Sequence, residues 1–421
     1  MSLHFFHGLS SQARLISFID ARSMTLLCPL LGRVLFVAWV CIGFCNVSLQ
    51  AVEPASTQGP PGISADGLSF KVDEGFVVPY SVSVPGSDVK IEMVSVLGGK
   101  SKFGSSEDSD GHVEDEGPQI ELEVAPMWAA KYETTWQEYE YFMSICESSI
   151  SIQEKEGRAV TDECKVDAVT KPTPLYEPSH TYALEEEPRL PAVTMTQYSG
   201  KQYTKWHSKL TWQQSRLPTE AEWDYTCRAG SDSECCFCDD EGQLEDYGWF
   251  IDDSDELPRL VGQKKPNQVG SCDMHGNMME WVIDGYSEDG SERVAEREAI
   301  DTIAVIQWPE EAENREIRGG SFHDDPEMLR SAARHGSEDE DWKEKDPKLP
   351  LSPFGYASAQ GRELGLQSLR SCQSLENANI TRFWEVDYDS MAADANERLG
   401  SGKARQVAVD AELGKEFEAG K

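Results

Sequence analysis

The sequence predicts an α+β domain, irregular and loop-rich, and three observations carry that prediction. Ile120–Trp128 (IELEVAPMW) alternates apolar and polar residues at period two, as a half-buried strand does, and IEMVSVLGG (Ile91–Gly99) reads as a strand and turn. Three others place apolar residues at helical spacing behind a threonine able to cap the first turn. Between and beyond them Gly, Asp and Pro punctuate a chain whose Trp and Tyr stand singly. A core of that kind is pinned by aromatics rather than by long periodic elements.

Taken in order, residues 52–89 mix Pro, Gly and Ser with short apolar alternations such as FVVPYSVSV, which fits a linker or an extra strand. The compact domain is expected over residues 90–372, opening on the Ile91–Gly99 strand, with Gly104–Gly117 as an acidic loop. Thr134 and Thr135 can cap a first helix carrying Trp136, Tyr139, Met143 and Cys146 on one face. Thr196 can cap a second, with Tyr203, Trp206 and Leu210 aligned. Thr219 and Glu222 form a T-x-x-E capping box after Pro218 for a third, in which Trp223 and Cys227 lie one turn apart and Gly230 ends the helix. Residues 373–421 are rich in Ala, Glu and Lys and have no Cys, which predicts a charged tail, helical in parts, outside the core.

Charge and cysteine usage bound the function. With 38 Lys+Arg against 75 Asp+Glu, the formal charge is −37, a field that repels phosphate backbones and anionic lipid and so disfavours nucleic-acid binding. Val34–Phe44 is an unbroken apolar run behind Arg33, well short of the roughly 20 residues that span a bilayer. Residues 1–51 therefore read as a secretory signal, with Met24 a possible true start, and no stable membrane span is expected after its cleavage. The expected location is exported: periplasmic, extracellular or cell-surface. Of the 11 cysteines, eight lie beyond that segment, an even number that suggests disulfides in an exported protein. Cys146 and Cys164 bracket one polar loop and are the simplest pair to propose.

Three segments carry more specific information: RLPTEAEWDY (Arg216–Tyr225), DMHGNMMEWV (Asp273–Val282) and RGGS (Arg318–Ser321). With EGPQIELEV (Glu116–Val124), KYETTWQEYEYF (Lys131–Phe142), VGQKKPN (Val261–Asn267), LRSAAR (Leu329–Arg334) and LGLQSLR (Leu364–Arg370), they stand in the order in which similar segments occur in the formylglycine-generating enzyme family, the sulfatase-modifying factors. The chain resembles that family over about Lys90 to Arg370. The resemblance implies the family's fold, an irregular α+β domain related to C-type lectins.

It also implies sites. The carboxylates of Asp273 and Glu280, with the carbonyls of Gly276 and Met278, match a calcium site of the family, and such oxygens suit that ion. The alternative is that Glu280 pairs with a buried Arg while Asp273 caps a turn; His275, inside the same loop, reads as scaffold. Ser321 matches a serine lining the family's catalytic pocket. In aerobic members two redox-active cysteines that bind copper(I) follow it, whereas here the stretch runs Phe322, His323, Asp324, Asp325, Pro326, Glu327, Met328. Carboxylates do not replace thiolates for copper(I), so copper is not expected. His323, Asp324 and Asp325 form either a polar loop or an oxygen-and-imidazole metal site. In the family's disulfides Thr204 and Ser331 occupy positions of cysteine, while Cys227 keeps its place, leaving Cys235, Cys236, Cys238 and Cys272 as its candidate partners. Two functions follow: a binding or accessory module for an unknown exported protein or small ligand, or an oxidoreductase modifying a cysteine in sulfatase-like targets through a non-cysteine metal site.

Overall fold

The computed structural model describes residues 62–64, 67–72, 75–168, 187–231, 233, 235–236, 243–295, 301–310, 315–337, 360–400 and 405–419, all within one compact unit, Glu53–Lys421. The expected signal segment lies outside the described residues. Among these residues, no helix is long and apolar enough to cross a membrane.

The segment expected to be a linker or an extra strand supplies four short strands. β1 (Gly62–Ser64), β2 (Gly67–Val72) and β3 (Gly75–Val77) form an antiparallel meander, and β4 (Tyr80–Ser83) pairs with β5 (Lys90–Val96). The period-two run Ile120–Trp128 is divided. β7 (Ile120–Val124) pairs with β6 (Gly99–Phe103), while β8 (Met127–Ala130) joins a different sheet of order β14-β8-β5-β4, with β14 being Leu369–Ser371. Pro126 stands at the break, where a residue without an N–H cannot continue a ladder. A second four-stranded sheet, β12-β11-β10-β13, comprises His335–Gly336, Arg315–Arg318, Met279–Gly285 and Leu364–Gly365. Its central strand β10 is buried along its whole length, as a strand covered on both faces must be.

The three expected helices form. α1 (Trp136–Glu156) starts after Thr135, whose hydroxyl donates to Glu138 Oε1 (3.1 Å) rather than accepting a backbone N–H. α2 (Gln197–Thr211) is capped by Thr196 Oγ1, which accepts from Ser199 N (3.2 Å). α3 (Glu220–Arg228) has the complete Thr219/Glu222 capping box and ends on Ala229, one residue before the expected Gly230. The α1 and α2 faces meet through aromatic rings: Phe142 lies 5.4 Å from Trp206 and 5.7 Å from Tyr203, centroid to centroid. Such pairs add stabilisation of about 0.5–1.5 kcal/mol each to their buried area. Trp136, Tyr139 and Met143 are buried on the expected face of α1; the side chain of Cys146 lies outside the described residues.

The expected charged tail is corrected by the structure. α4 (Asn377–Trp384) buries Ile380, Phe383 and Trp384, while β15 (Arg405–Ala408) pairs with β9 (Lys165–Ala168) and α5 (Ala411–Ala419) buries Leu413. Lys201 and Arg315 both pair with Asp387 (2.9 and 3.0 Å), and Lys205 with Glu385 (2.6 Å). The segment's charges face these partners or solvent, and its apolar residues at spacings of three and four complete the core.

Candidate functional site

The site is assembled from three interlocking segments. Arg216 makes a bidentate pair with Glu222 (2.7 and 2.8 Å), so the capping box of α3 is anchored by a buried guanidinium. Arg318, at the end of β11, donates to Glu220 (2.8 Å) and to the Ser331 carbonyl (2.6 Å), reaches Asp224 at 3.4 Å, and lies over the Trp223 ring. Trp223 in turn donates its indole N–H to Glu280 Oε2 (2.7 Å). Helix α3, the Asp273–Glu280 loop and the Arg318–Ser321 turn thus hold one another.

Gly276 has φ +87°, and a Cβ there would run into the Trp249 carbonyl, so only glycine fits. Its N–H donates to the Gly319 carbonyl (2.8 Å), and Phe322 N donates to the Asn277 carbonyl (3.0 Å). The two loops are therefore hydrogen-bonded neighbours. Gly320 (φ +67°) sits against the Leu329 side chain and the Met328 backbone, which closes the second loop.

The carboxylates of the first loop are buried and form no ion pair among the described residues, and the charge of Arg189 only partly offsets the effect of burial on Asp273. Asp273 Oδ2 accepts from Gly262 N (2.7 Å), and the buried Oδ1 has no hydrogen-bond partner. Glu280 Oε1 is likewise buried and unpartnered, and its companion oxygen meets an indole, not an arginine. Glu133, which sequence reasoning missed, joins them: its oxygens accept from Asn277 Nδ2 (2.7 Å) and Met278 N (2.9 Å). Burial raises all three carboxyls, Asp273 to about 6 and Glu280 to about 8, with charge repulsion from Asp273 adding to the rise at Glu280. Glu133 is raised well above the ordinary carboxylate range by burial and then by repulsion from Asp273 and Glu280. Among the described residues no three His, Cys, Asp or Glu side chains form a metal-binding group by themselves. An ion here would need main-chain oxygens as well. The two orphaned oxygens and the mutual repulsion fit a hard divalent cation of that kind.

In the second loop, the expected set His323, Asp324 and Asp325 does not converge. Asp324 Oδ2 accepts from Ser321 N (2.7 Å), closing the turn, and Asp325 precedes the short 3-10 turn Pro326–Leu329, its carbonyl accepting from Met328 N. The structure instead joins Ser321 and His323 through Glu363: Ser321 Oγ donates to Oε2 (3.0 Å), and His323 Nδ1 lies 2.7 Å from Oε1. A carboxylate at Nδ1 fixes the tautomer with the proton on that nitrogen, leaving the Nε2 lone pair of a partly exposed ring for a ligand's donor. Ser321 is bonded to the carboxylate and not to the imidazole, so the trio is not a relay that activates a serine nucleophile.

His275 is buried scaffold. Its Nδ1 faces the Leu329 carbonyl (2.7 Å), and Nε2 accepts from Cys236 N (3.4 Å). Ser331 Oγ lies 3.3 Å from Cys227 Sγ. Thr204 is buried in α2 and bonds back to the Lys201 carbonyl (2.9 Å). Cys164, expected to bond Cys146, carries a free thiol that lies against Thr161. Cys238 lies outside the described residues.

A family model described as the sulfatase-modifying factor enzyme 1-like domain matches residues 83–345. The formylglycine-generating enzyme of Thermomonospora curvata is 25% identical over 258 residues, covering 55% of this chain and 82% of that protein. The serine/threonine-protein kinase pkn1 of Chlamydia pneumoniae is 29% identical over 170 residues, 40% of this chain, and the match spans only 24% of that protein's own length. Among solved structures, PvdO from Pseudomonas aeruginosa is similar with a TM-score of 0.48 and 25% identity, covering 69% of this chain and 100% of its own.

Proposed function

The chain belongs to the sulfatase-modifying factor family, and from that premise we propose that it is an exported binding or accessory module without copper- and cysteine-dependent formylglycine formation. The observation that carries this reading is the turn after Arg318–Ser321. Where that chemistry needs a thiolate pair, the chain places Phe322 and His323, and the pocket serine is tied through Glu363 to an imidazole. An imidazole with a free Nε2 and a neighbouring carboxylate can bind a ligand rich in hydrogen-bond donors; it cannot exchange disulfides or hold copper(I) as thiolates do.

Calcium belongs to the same reading. Asp273 and Glu280 would hold it through their carboxylates, with the carbonyls of Gly276 and Met278, and the ion would supply the positive charge that three buried carboxyls lack. A calcium-braced loop beside a ligand cleft on an irregular scaffold is also the arrangement expected of a relative of C-type lectins, though fold alone does not fix chemistry.

The test is capture. Immobilised calcium-loaded protein is exposed to the exported fraction of the expressing cells, beside the E363Q and H323A variants. A ligand or protein retained by the unaltered chain and lost from both variants supports the reading. Capture of nothing, or capture indifferent to both substitutions, overturns it.

A further inference from the structure

A recess lies between the first turn of α1, the start of β5 and Arg189, and it shares no residue with the Ser321–Glu363–His323 trio or the Asp273–Glu280 loop. Its floor is aliphatic, made of the buried Val89, Ile91 and Ala130. Its walls are polar: Glu138 and Thr135 from α1, with Tyr132 and Arg189 beside them. The room inside is about 40 Å³. A water-sized group needs roughly 10–15 Å³, so a ligand the size of two or three waters fits.

Two opposite charges in this lining form no ion pair among the described residues. The half-buried Glu138 accepts from the neutral hydroxyls of Thr135 (3.1 Å, at Oε1) and Tyr203 (3.3 Å, at Oε2). Arg189 donates to the Val261 carbonyl at 3.4 Å and otherwise lies over the Tyr132 ring, 5.2 Å from its centroid, a contact that uses none of its five donors. Both groups are held in place. Trp136 N and Gln137 N, at the start of α1, donate to the Leu190 and Pro188 carbonyls (2.9 and 3.0 Å), which pins the backbone on either side of Arg189 to the helix that carries Glu138. The Tyr132 ring fills the space that a side chain would need at Gly262 (φ +72°), so the platform under Arg189 is packed from behind. The other charges are accounted for: Glu92 pairs with Lys131 (3.2 Å), and Lys90 is exposed to solvent.

We infer that the recess binds a small α-amino acid as its zwitterion, with the carboxylate on Arg189 and the ammonium on Glu138. A lone carboxylate held by Arg189 would bring a second negative charge toward Glu138, and a lone ammonium held by Glu138 would face the guanidinium. A ligand carrying both charges satisfies both walls, and the aliphatic floor suits the hydrogens or methyl of glycine or alanine while lowering the local dielectric around the charges. The end of α1 does not take the carboxylate, because its first two N–H groups are already bonded to the Leu190 and Pro188 carbonyls; the guanidinium therefore carries that end of the ligand. Burial pushes the Glu138 carboxyl up to about 7, and the charge of Arg189 offsets this only in part, so a bound ammonium draws the group back toward its ionised form.

The inference is independent of export and of ligand capture at His323, since its test leaves that trio untouched. The full chain is titrated by calorimetry with glycine, L-alanine, acetate and methylammonium, beside the R189Q and E138Q variants. The expected result is one-to-one binding of glycine or L-alanine, about tenfold or more tighter than acetate or methylammonium, and weakened about tenfold or more in each variant. Arg189 is exposed, so R189Q folds and carries the test by itself should E138Q lower the melting temperature. Absence of amino-acid binding would overturn the inference. So would acetate binding as tightly as glycine, which marks a plain anion site, or amino-acid binding unchanged by R189Q.

Discussion

Helix α3 and the Asp273–Glu280 loop are packed together through Trp223 and Cys227, yet they treat buried charge in opposite ways. On the helix itself every buried carboxylate has a guanidinium: Glu222 has Arg216, Asp224 has Arg228 and Arg318, and Glu220 has Arg318 and Arg334. On the loop side Glu133, Asp273 and Glu280 have amides, an indole and one another. A fold that can place four arginines against one helix is able to neutralise buried acids where neutrality serves structure. Three acids a few residues away have no ion-pair partner among the described residues, and the proposed calcium would supply the charge they lack. The Arg318–Ser321 turn, hydrogen-bonded to that loop, shows a third state: one carboxylate, Glu363, matched to a serine and a histidine at the edge of solvent.

That contrast can be broken most forcefully at Arg318. R318M leaves Glu220 and Asp224 short of a partner inside the protein, and the expected loss of stability is about 3–5 kcal/mol by chemical denaturation. A loss below about 1 kcal/mol would mean that the arginines do not carry the helix side as described.

Next in size is calcium. At a free concentration a hundredfold above its dissociation constant the ion should stabilise the fold by about 2.7 kcal/mol, and E280Q should abolish the gain. A thermal melt with and without calcium checks this, and an equal shift in E280Q would remove Glu280 from the site.

The same carboxyls set a pH dependence. Their folded-state values, about 6 for Asp273 and about 8 for Glu280, lie above those of the unfolded chain, so the folded form without calcium binds more protons. From these two groups, calcium-free stability should fall as pH rises from about 5 to about 8. The increment given by calcium should therefore be larger at the upper end of that window than at the lower. An increment independent of pH would contradict the assignment.

The smallest effect is expected at the Ser321–Glu363–His323 trio. E363Q should change stability by no more than about 1 kcal/mol, because its partner His323 is partly exposed. It should still remove the constraint on the imidazole, seen as a change in the ring-nitrogen chemical shifts of His323. Unchanged shifts would mean that Glu363 does not orient the ring.

Legibility followed range along the chain. The α3 capping box spans three residues and could be read locally, as could the aromatic faces of α1 and α2 and the paired positions of Asp273 and Glu280. Glu363 lies 42 positions from Ser321, and Glu133 lies 145 from Met278, so no local pattern pointed to either. In the closing segment average charge hides the helical spacing of Ile380, Phe383 and Trp384, which are buried. Pro126 was a visible signal that one alternating run was two strands. Histidine and two aspartates in a row suggested convergence, but adjacent side chains diverge, and here each found a different partner.

The claim that the chain lacks the family's oxidation chemistry is tested most directly by one assay. Purified, calcium-loaded protein is incubated with copper(I), oxygen and a Cys-x-Pro-x-Arg peptide, and the peptide is followed by mass spectrometry. The expected result is a peptide that keeps its cysteine thiol through many hours; conversion of that cysteine to the aldehyde, repeated over several turnovers, would contradict the account.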